Sequence, residues 1–275
     1  MNTSLKSVLR SFLPRANRGH RILGGPLRGA HLITSWHDYP AAIIGRTERR
    51  LLDWFAGNVK PGETWLDIGA HYGYTAIALS RLVGKEGRVI AFEPMISTAG
   101  YVTQTRQLNN FSQLIVLPLG LACPETLEIK QLPVTRGMVD STLCKGEACP
   151  EQSRRSTSRK DERQALWQET ILVARLDWLW EQICGRRENI SGVKIDVQGM
   201  ELEVLRGMKK TLGTYHPKLV VEFHPGVNRD VLLDLIANVG YDRVGRPIEP
   251  VPGEVQPQYV DDRSYAFNVA LNKLS

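Results

Sequence analysis

Cysteine is scarce in this chain: Cys123, Cys144, Cys149 and Cys184 are the only four in 275 residues, and no two form a Cys-x-x-Cys pair. That excludes a disulfide-dense scaffold and argues against a structural zinc site, so four reduced thiols and a cytoplasmic setting are expected. Long apolar runs are missing too. The most hydrophobic stretches, such as Lys218-Leu-Val-Val-Glu-Phe223, are strand-sized and broken by charge. They fall far short of the roughly 18–20 apolar residues a membrane span needs. A basic excess is absent from most of the chain. The formal net charge is +6, but the first 50 residues alone carry nine basic side chains against two acids, and the other 225 are nearly neutral. Binding to nucleic acid calls for a basic face on the folded body, so this distribution argues against it.

What is present begins with a short amphipathic pattern. Leu5, Val8, Leu9 and Phe12 share one helical face, Lys6 and Arg10 lie between them, and Pro14 stops the run. Such a helix packs on the body or frays; weak contact with an anionic membrane surface is the functional alternative. Its apolar positions are interrupted and no small-residue cleavage site follows, so no secretory leader is expected. Arg21 to Ile33 reads as two short strands around a Gly-Pro turn. Residues 1–45 thus form a basic extension, and residues 46–275 the main domain.

From Thr47, a plausible helix cap, helices and strands alternate. Strands are expected at Thr64–Ile68, Arg88–Phe92, Leu114–Leu117, Gly192–Asp196, Leu219–Phe223 and Tyr265–Leu271. Between them come helices at Tyr74–Val83, Ser97–Leu108, Asp177–Cys184, Met200–Leu212 and Val231–Val239. Lys209 and Lys210 read as the last turn of one of these helices, with Gly213 as its stop. Such alternation implies an α/β fold with a mostly parallel sheet covered on both faces. The pattern breaks at about 124–172, where Thr126–Lys130 and Ile171–Ala174 look like an inserted strand pair. They flank a polar segment at 145–160, expected to be a mobile loop.

The chemistry concentrates after the first core strand, in Asp67-Ile-Gly69-Ala70-His71-Tyr-Gly73. In an open α/β sheet this loop faces the ligand crevice. Gly69 permits the tight turn and Gly73 a close approach of helix and ligand. The dinucleotide fingerprint Gly-x-Gly-x-x-Gly is not met, because His71 holds the place of the middle glycine. Asp67 disfavours a diphosphate there and suits the sulfonium and ammonium of S-adenosylmethionine. Twenty residues past Gly73, Glu93 and Pro94 end the next strand, where a carboxylate can accept ribose hydroxyls.

Four blocks in order complete the picture: Trp65-Leu-Asp-Ile-Gly-Ala-His-Tyr-Gly-Tyr74, Val89-Ile-Ala-Phe-Glu-Pro94, Ala174-Arg-Leu-Asp177 and Val193-Lys-Ile-Asp-Val-Gln-Gly-Met-Glu201. Together they resemble FkbM-type S-adenosylmethionine-dependent methyltransferases over about residues 45–240. The resemblance implies a class I, Rossmann-like, seven-stranded sheet and mostly O-methylation of hydroxyls on sugars or secondary metabolites. By the same likeness Asp67, Gly69 and Gly73 contact the cofactor, Glu93 holds its ribose, and Asp196 sits near the transferred methyl. The chain departs from the family with His71 in place of Asn, Gln198 in place of Glu, and Leu121-Ala-Cys-Pro-Glu125 where an acidic residue often follows the third strand.

An alcohol acceptor must lose a proton, which calls for a base. Asp196, Glu222 and His224, all at strand ends, are the candidates. His224, at an ordinary histidine pKa near 6.5, suits neutral pH; a strand-end histidine bonded to backbone is its structural alternative. Asp140-Ser-Thr142 could reach the site or only cap a loop. A divalent metal bridging Asp196 and substrate hydroxyls is conceivable, but no metal-ligand spacing in the sequence supports it, so no metal ligands are assigned. Two other functions remain open: an RNA methyltransferase using the basic N-terminus as an arm, and a non-catalytic relative that keeps the cofactor fold. Nothing in the sequence specifies an oligomeric state.

Overall fold

The computed structural model describes residues 12–135, 165–184, 189–250, 252 and 259–270. The N-terminal amphipathic helix, Asp140-Ser-Thr142, Cys144, Cys149 and the 145–160 loop lie outside the described residues.

In chain order the elements are β1 (Arg18–Arg21), β2 (His31–Thr34), α1 (Pro40–Ile44), α2 (Arg49–Asn58), β3 (Thr64–Ile68), α3 (Tyr74–Val83), β4 (Arg88–Phe92) and α4 (Ile96–Leu108). There follow β5 (Leu114–Leu117), β6 (Gly120–Leu121), β7 (Glu128–Thr135), β8 (Ala165–Ala174), α5 (Leu176–Cys184) and β9 (Gly192–Ile195). The chain continues through α6 (Glu201–Arg206), α7 (Lys209–Tyr215), β10 (Lys218–Phe223), α8 (Arg229–Asn238), β11 (Arg246–Pro247) and β12 (Arg263–Phe267).

Seven strands form the main sheet in the order β11-β12-β10-β9-β3-β4-β5. β3, β4, β5, β9 and β10 run parallel, and β12 runs antiparallel to both its neighbours. From β3 the chain winds outward through β4 and β5; from β9 it winds the other way. β3 and β9 are adjacent, so the winding reverses between them, and in such a Rossmann-like sheet the ligand crevice opens there, beyond the carboxyl ends of the strands. Parallel strands bury both faces, which explains their near-continuous apolar sequences. Leu66, Ile68, Val193 and Ile195 pack on one face with α6, α7 and α8, while Trp65, Val89 and Ala91 pack on the other with α2 and α3. The inserted strands pair as expected and form a small second sheet, β6-β8-β7.

Two features differ from the expectations. The N-terminal extension is not separate where it is described. Ile22, Leu27, Ala30, Leu32 and Ala42 belong to the same core cluster as α2 and α3. The hairpin is also tied to α4, since Ile33 N donates to Thr105 Oγ1 and His31 N to Asn109 Oδ1, both at 2.9 Å. Beyond it, Glu48 rather than Thr47 caps α2, with a left-handed φ of 52° and no capping side-chain bond. The second difference is the helix expected over Met200–Leu212, which is two helices broken at Gly207. A Cβ on Gly207 would stand 1.9 Å from the Ala122 carbonyl oxygen, so the chain turns there to pass the β6 connection. Lys209 and Lys210 therefore open α7 instead of closing a helix, at the end where the helix dipole disfavours cations. Asp177 offsets this from α5. Its carboxylate accepts Lys210 N at 2.9 Å, Thr211 N at 2.8 Å and the Thr211 hydroxyl at 2.7 Å.

Among the described residues no helix is long and apolar enough to cross a membrane. Removing the Asp177 cap should lower stability by about 0.5–2 kcal/mol. Urea denaturation of Asp177→Ala measures this, and an unchanged midpoint would deny the cap its role.

Candidate functional site

The carboxyl edge of β3, β4, β9 and β10 carries nearly all the polar groups singled out from the sequence. Asp67 and Lys194 are register partners on adjacent central strands, on a face otherwise filled by apolar side chains. Both are buried, and Lys194 Nζ lies 3.3 Å from Asp67 Oδ1, 3.2 Å from Asp196 Oδ2 and 3.1 Å from the Gly69 carbonyl oxygen. The Gly69 carbonyl accepts a hydrogen bond from the ammonium, and the two carboxylates pair with it as close ion pairs. Burial opposes the charge on Lys194, but Asp196, Asp67 and Glu222 outweigh it and hold the ammonium above the usual lysine range. Burial pushes the Asp67 carboxyl up against the pull of Lys194 and of Thr75, whose hydroxyl donates to Asp67 Oδ2 at 2.6 Å. Asp67 thus stands behind the loop, anchoring Lys194 and the first turn of α3, and does not line the cavity in front. The cofactor contact implied for Asp67 by resemblance is not what the structure places there.

That cavity, about 280 Å³, is bounded by Gly69 and His71, by Glu93 and Pro94, and by Asp196 and Gln198. Gly69 adopts φ +82°, and a Cβ on it would lie 1.8 Å from the Asp196 carbonyl oxygen, so only glycine lets the loop close against the end of β9. Gly73, Ala70 and Asp67 shape the loop from behind. Gly73 caps α3 with φ +86°, and Ala70 is buried in the core. Glu93 is buried and locks the loop to β4: its two oxygens accept His71 N at 2.9 Å and Met95 N at 3.1 Å. Burial, partly offset by those two bonds, pushes its pKa up to about 7. His71, in a left-handed conformation with φ 50°, packs its ring between Tyr39 and Tyr72. Burial pulls its pKa down to about 4, so the ring is neutral at pH 7.

At the other end Asp196, Glu222 and His224 converge. His224 Nδ1 lies 2.7 Å from Glu201 Oε1, and its Nε2 lies 3.5 Å from Asp196 Oδ1 and 3.6 Å from Glu222 Oε1. Burial opposes its charge, yet the Glu201 bond and the Asp196 and Glu222 carboxylates raise the His224 pKa to about 9. This departs from the ordinary value expected from sequence: the uncomplexed ring holds its proton at neutral pH and is not poised to take another. Lys194 and His224 hold Asp196 below the usual carboxylate range despite its burial. Glu222 is raised to about 7, by burial first and then by Asp196. The three side chains place one ligand atom each within 4.8 Å of one another, so they are brought together as a group able to hold a metal ion.

Sequence reasoning missed three contributors. Lys194 carried a signal: a lysine on a central parallel strand, covered on both faces, needs a buried partner. Tyr39 and Glu48 carried none, because they reach the cavity from the N-terminal segment. Glu48 also lines a second cavity of about 630 Å³, which shares Thr47 and Glu222 with the first and is walled by Arg46, Arg49, Glu249 and Arg263.

Residues 67–243 match the family model described as the methyltransferase FkbM domain. None of the curated proteins matches the chain. Among solved structures, the methyltransferase FkbM from Methylobacillus flagellatus KT is 16% identical, covers 78% of this chain and 50% of its own, and gives a TM-score of 0.45. Fibrillarin from Aeropyrum pernix, solved with natively bound S-adenosyl-L-methionine, is 12% identical over 92% of this chain and 88% of its own, with a TM-score of 0.47. An rRNA methylase from Streptococcus thermophilus is 11% identical over 82% and 98%, again at 0.47. At these TM-scores the likenesses add nothing to the architecture described above.

Gly69→Ala should cost more than about 1 kcal/mol of stability, because the new methyl meets both a left-handed backbone and a carbonyl oxygen. Gly100→Ala, in α4 with nothing within 4 Å of its Cβ, is the control and should gain stability. Urea denaturation that finds Gly69→Ala as stable as wild type would remove the steric role of that glycine.

Proposed function

The chain belongs to the FkbM methyltransferase family, and from that premise we propose that it transfers the methyl group of S-adenosylmethionine to a hydroxyl of a sugar, glycan or secondary metabolite. The observation that carries the reading is the charge of the smaller cavity. Glu48, Glu93, Asp196 and Glu222 line it, and among the described residues no lysine or arginine does. Such a wall repels phosphates and attracts cations, which suits a ligand bearing a sulfonium and an ammonium and disfavours a dinucleotide or an RNA backbone at the transfer point.

The residues present fit that cofactor. Phe92, Met95 and Leu121 offer an apolar slot for the adenine. Glu93 keeps free lone pairs on both oxygens for the ribose hydroxyls, after its two backbone bonds. Gly69 and His71 leave room for the chain to pass, and Asp196 and Glu222 face the positive end. When bound, the cofactor supplies a methyl group activated on sulfur, which an acceptor oxygen takes in line. The protein's part is to orient that oxygen and receive its proton; Glu222 lines both cavities, and Asp196 lines the smaller one beside it. The larger cavity is walled by hydrogen-bonding side chains of both signs, a lining that suits a polyhydroxy acceptor. The reading carries with it a cytoplasmic setting, in which Cys123 remains a free thiol.

Cofactor affinity should depend on pH through Glu93. A ribose hydroxyl donating to this carboxyl favours its ionised form, so binding expels the proton and affinity rises with pH up to about 7, then levels off. Lys194 lowers this pKa and Glu169 raises it. Glu93→Gln should bind more weakly by about 1–3 kcal/mol and lose the rise. Calorimetry between pH 5.5 and 8.5 measures both, and equal, pH-independent binding by wild type and variant would sink the cofactor assignment. Transfer of labelled methyl to a panel of polyhydroxy acceptors tests the reaction. Cofactor binding with no transfer to any of them would point instead to a non-catalytic relative.

A further inference from the structure

We infer that Asp196, Glu222 and His224 form a binding site for a divalent first-row metal ion, which holds the acceptor's oxygens at the transfer point. The inference deepens, and rests on, the reading of this cavity edge as the place of methyl transfer.

The tautomer of His224 comes first. Glu201 Oε1 accepts Gly199 N at 3.0 Å as well as the imidazole, so Nδ1 carries the hydrogen of that bond. In the neutral ring Nε2 then presents a lone pair. It is buried, its side chain only 4% exposed, and it makes no hydrogen bond; it points between Asp196 Oδ1 and Glu222 Oε1 at 3.5 and 3.6 Å. A protonated ring bonded to a carboxylate would sit at about 2.7–2.9 Å. The observed separations are longer, so a cation that displaces the Nε2 proton breaks no close bond there. One ligand atom from each of the three residues lies within 4.8 Å of the others. The His224 separations exceed by a few tenths of an ångström the about 3.0–3.4 Å between two ligands on one cation with metal bonds of about 2.0–2.1 Å, so the group draws in slightly on an ion.

Each ligand is also held from behind. Asp196 turns Oδ2 to Lys194, while its Oδ1 faces the cluster and accepts only a long hydrogen bond, 3.5 Å, from Gln198 Nε2. Ser264, the register partner of Glu222 across β10 and β12, donates its hydroxyl to Glu222 Oε2 at 3.1 Å, leaving Oε1. The buried carboxylate of Glu201 fixes the imidazole. A carboxylate behind a histidine whose other nitrogen faces two more carboxylates is the support a metal ligand needs to hold its orientation. Charge points the same way. Glu48, Asp67, Asp196 and Glu222 act on Lys194, and Glu201 adds a fifth acid beside His224, so acids outnumber the basic side chains at this edge. One imidazole nitrogen with two carboxylate oxygens is a mixed set that suits first-row divalent cations and leaves coordination positions open. Two neighbouring acceptor oxygens can fill them, which narrows the acceptor to one with adjacent hydroxyls, and the cation polarises the one that is methylated.

The test uses the full chain stripped with chelator, without cofactor or acceptor, titrated with Mn2+ read by the resonance of the free ion and with Zn2+ read by calorimetry. One ion per chain is expected for at least one of the two. His224→Ala and Glu222→Gln should weaken it at least tenfold, and Glu201→Gln by about 10–100-fold through loss of the orienting bond. Should His224→Ala fail to fold, Glu222→Gln, nearly isosteric and partly open to solvent, decides alone. No stoichiometric ion in the wild type, or full affinity in folded Glu222→Gln, overturns the site. S-adenosylmethionine binding on the same metal-free sample separates the two readings: cofactor bound without an ion sinks the metal site alone, and an ion bound without cofactor affinity sinks the cofactor reading.

Discussion

One buried ammonium organises the ligand edge of this sheet. Lys194 sits inside the protein because three acceptors meet it there: a carboxylate from β3, a carboxylate just past β9 and the carbonyl of the glycine between β3 and α3. Removing an ammonium from water costs several kcal/mol, and only such complete pairing makes its burial tolerable. Through those three bonds the lysine sets the spacing of the two central strands' ends, and hence the mouth of the crevice. Gly69 can close on the Asp196 backbone only because no side chain intervenes.

The electrostatics of the cavity follow from that pairing. Asp67 is neutralised behind the loop, so the acids that face the ligand are Glu48, Glu93, Asp196 and Glu222. The backbone around them is unusual: Glu48, His71 and Gln198 all adopt left-handed conformations although none is glycine. Three such residues bordering one cavity are strain gathered where side chains must be aimed. Tyr39 arrives from the basic extension and Glu48 from just beyond it, so the extension contributes to the wall of the site as well as to part of the core.

The sheet was legible in the sequence because its signals are local. Strand-sized apolar runs separated by capped helices leave little choice of architecture, and the glycine loop and Glu93 stand in register with it. Where the reading departs, the cause is tertiary. Gly207 breaks a helix because of a carbonyl contributed by β6's continuation, and Asp177, more than thirty residues away, accepts the Lys210 and Thr211 amides of the helix that follows. The charge argument for a cationic ligand leaned on Asp67, whose charge Lys194 takes up. His224 looked like an ordinary titrating histidine because Glu201, behind it, is brought there only by the packing of α6 on β10.

The claim that Lys194 organises the site is tested most directly by a double-mutant cycle on Lys194→Met and Asp67→Asn, read by urea denaturation. Lys194→Met alone should cost about 3–5 kcal/mol, because it strands a buried carboxylate. The double variant should recover a large part of that loss, since neither charge then remains in the core, and Asp196, about a quarter exposed, can draw on solvent. Strictly additive losses, or a Lys194→Met protein as stable as wild type, would contradict the account.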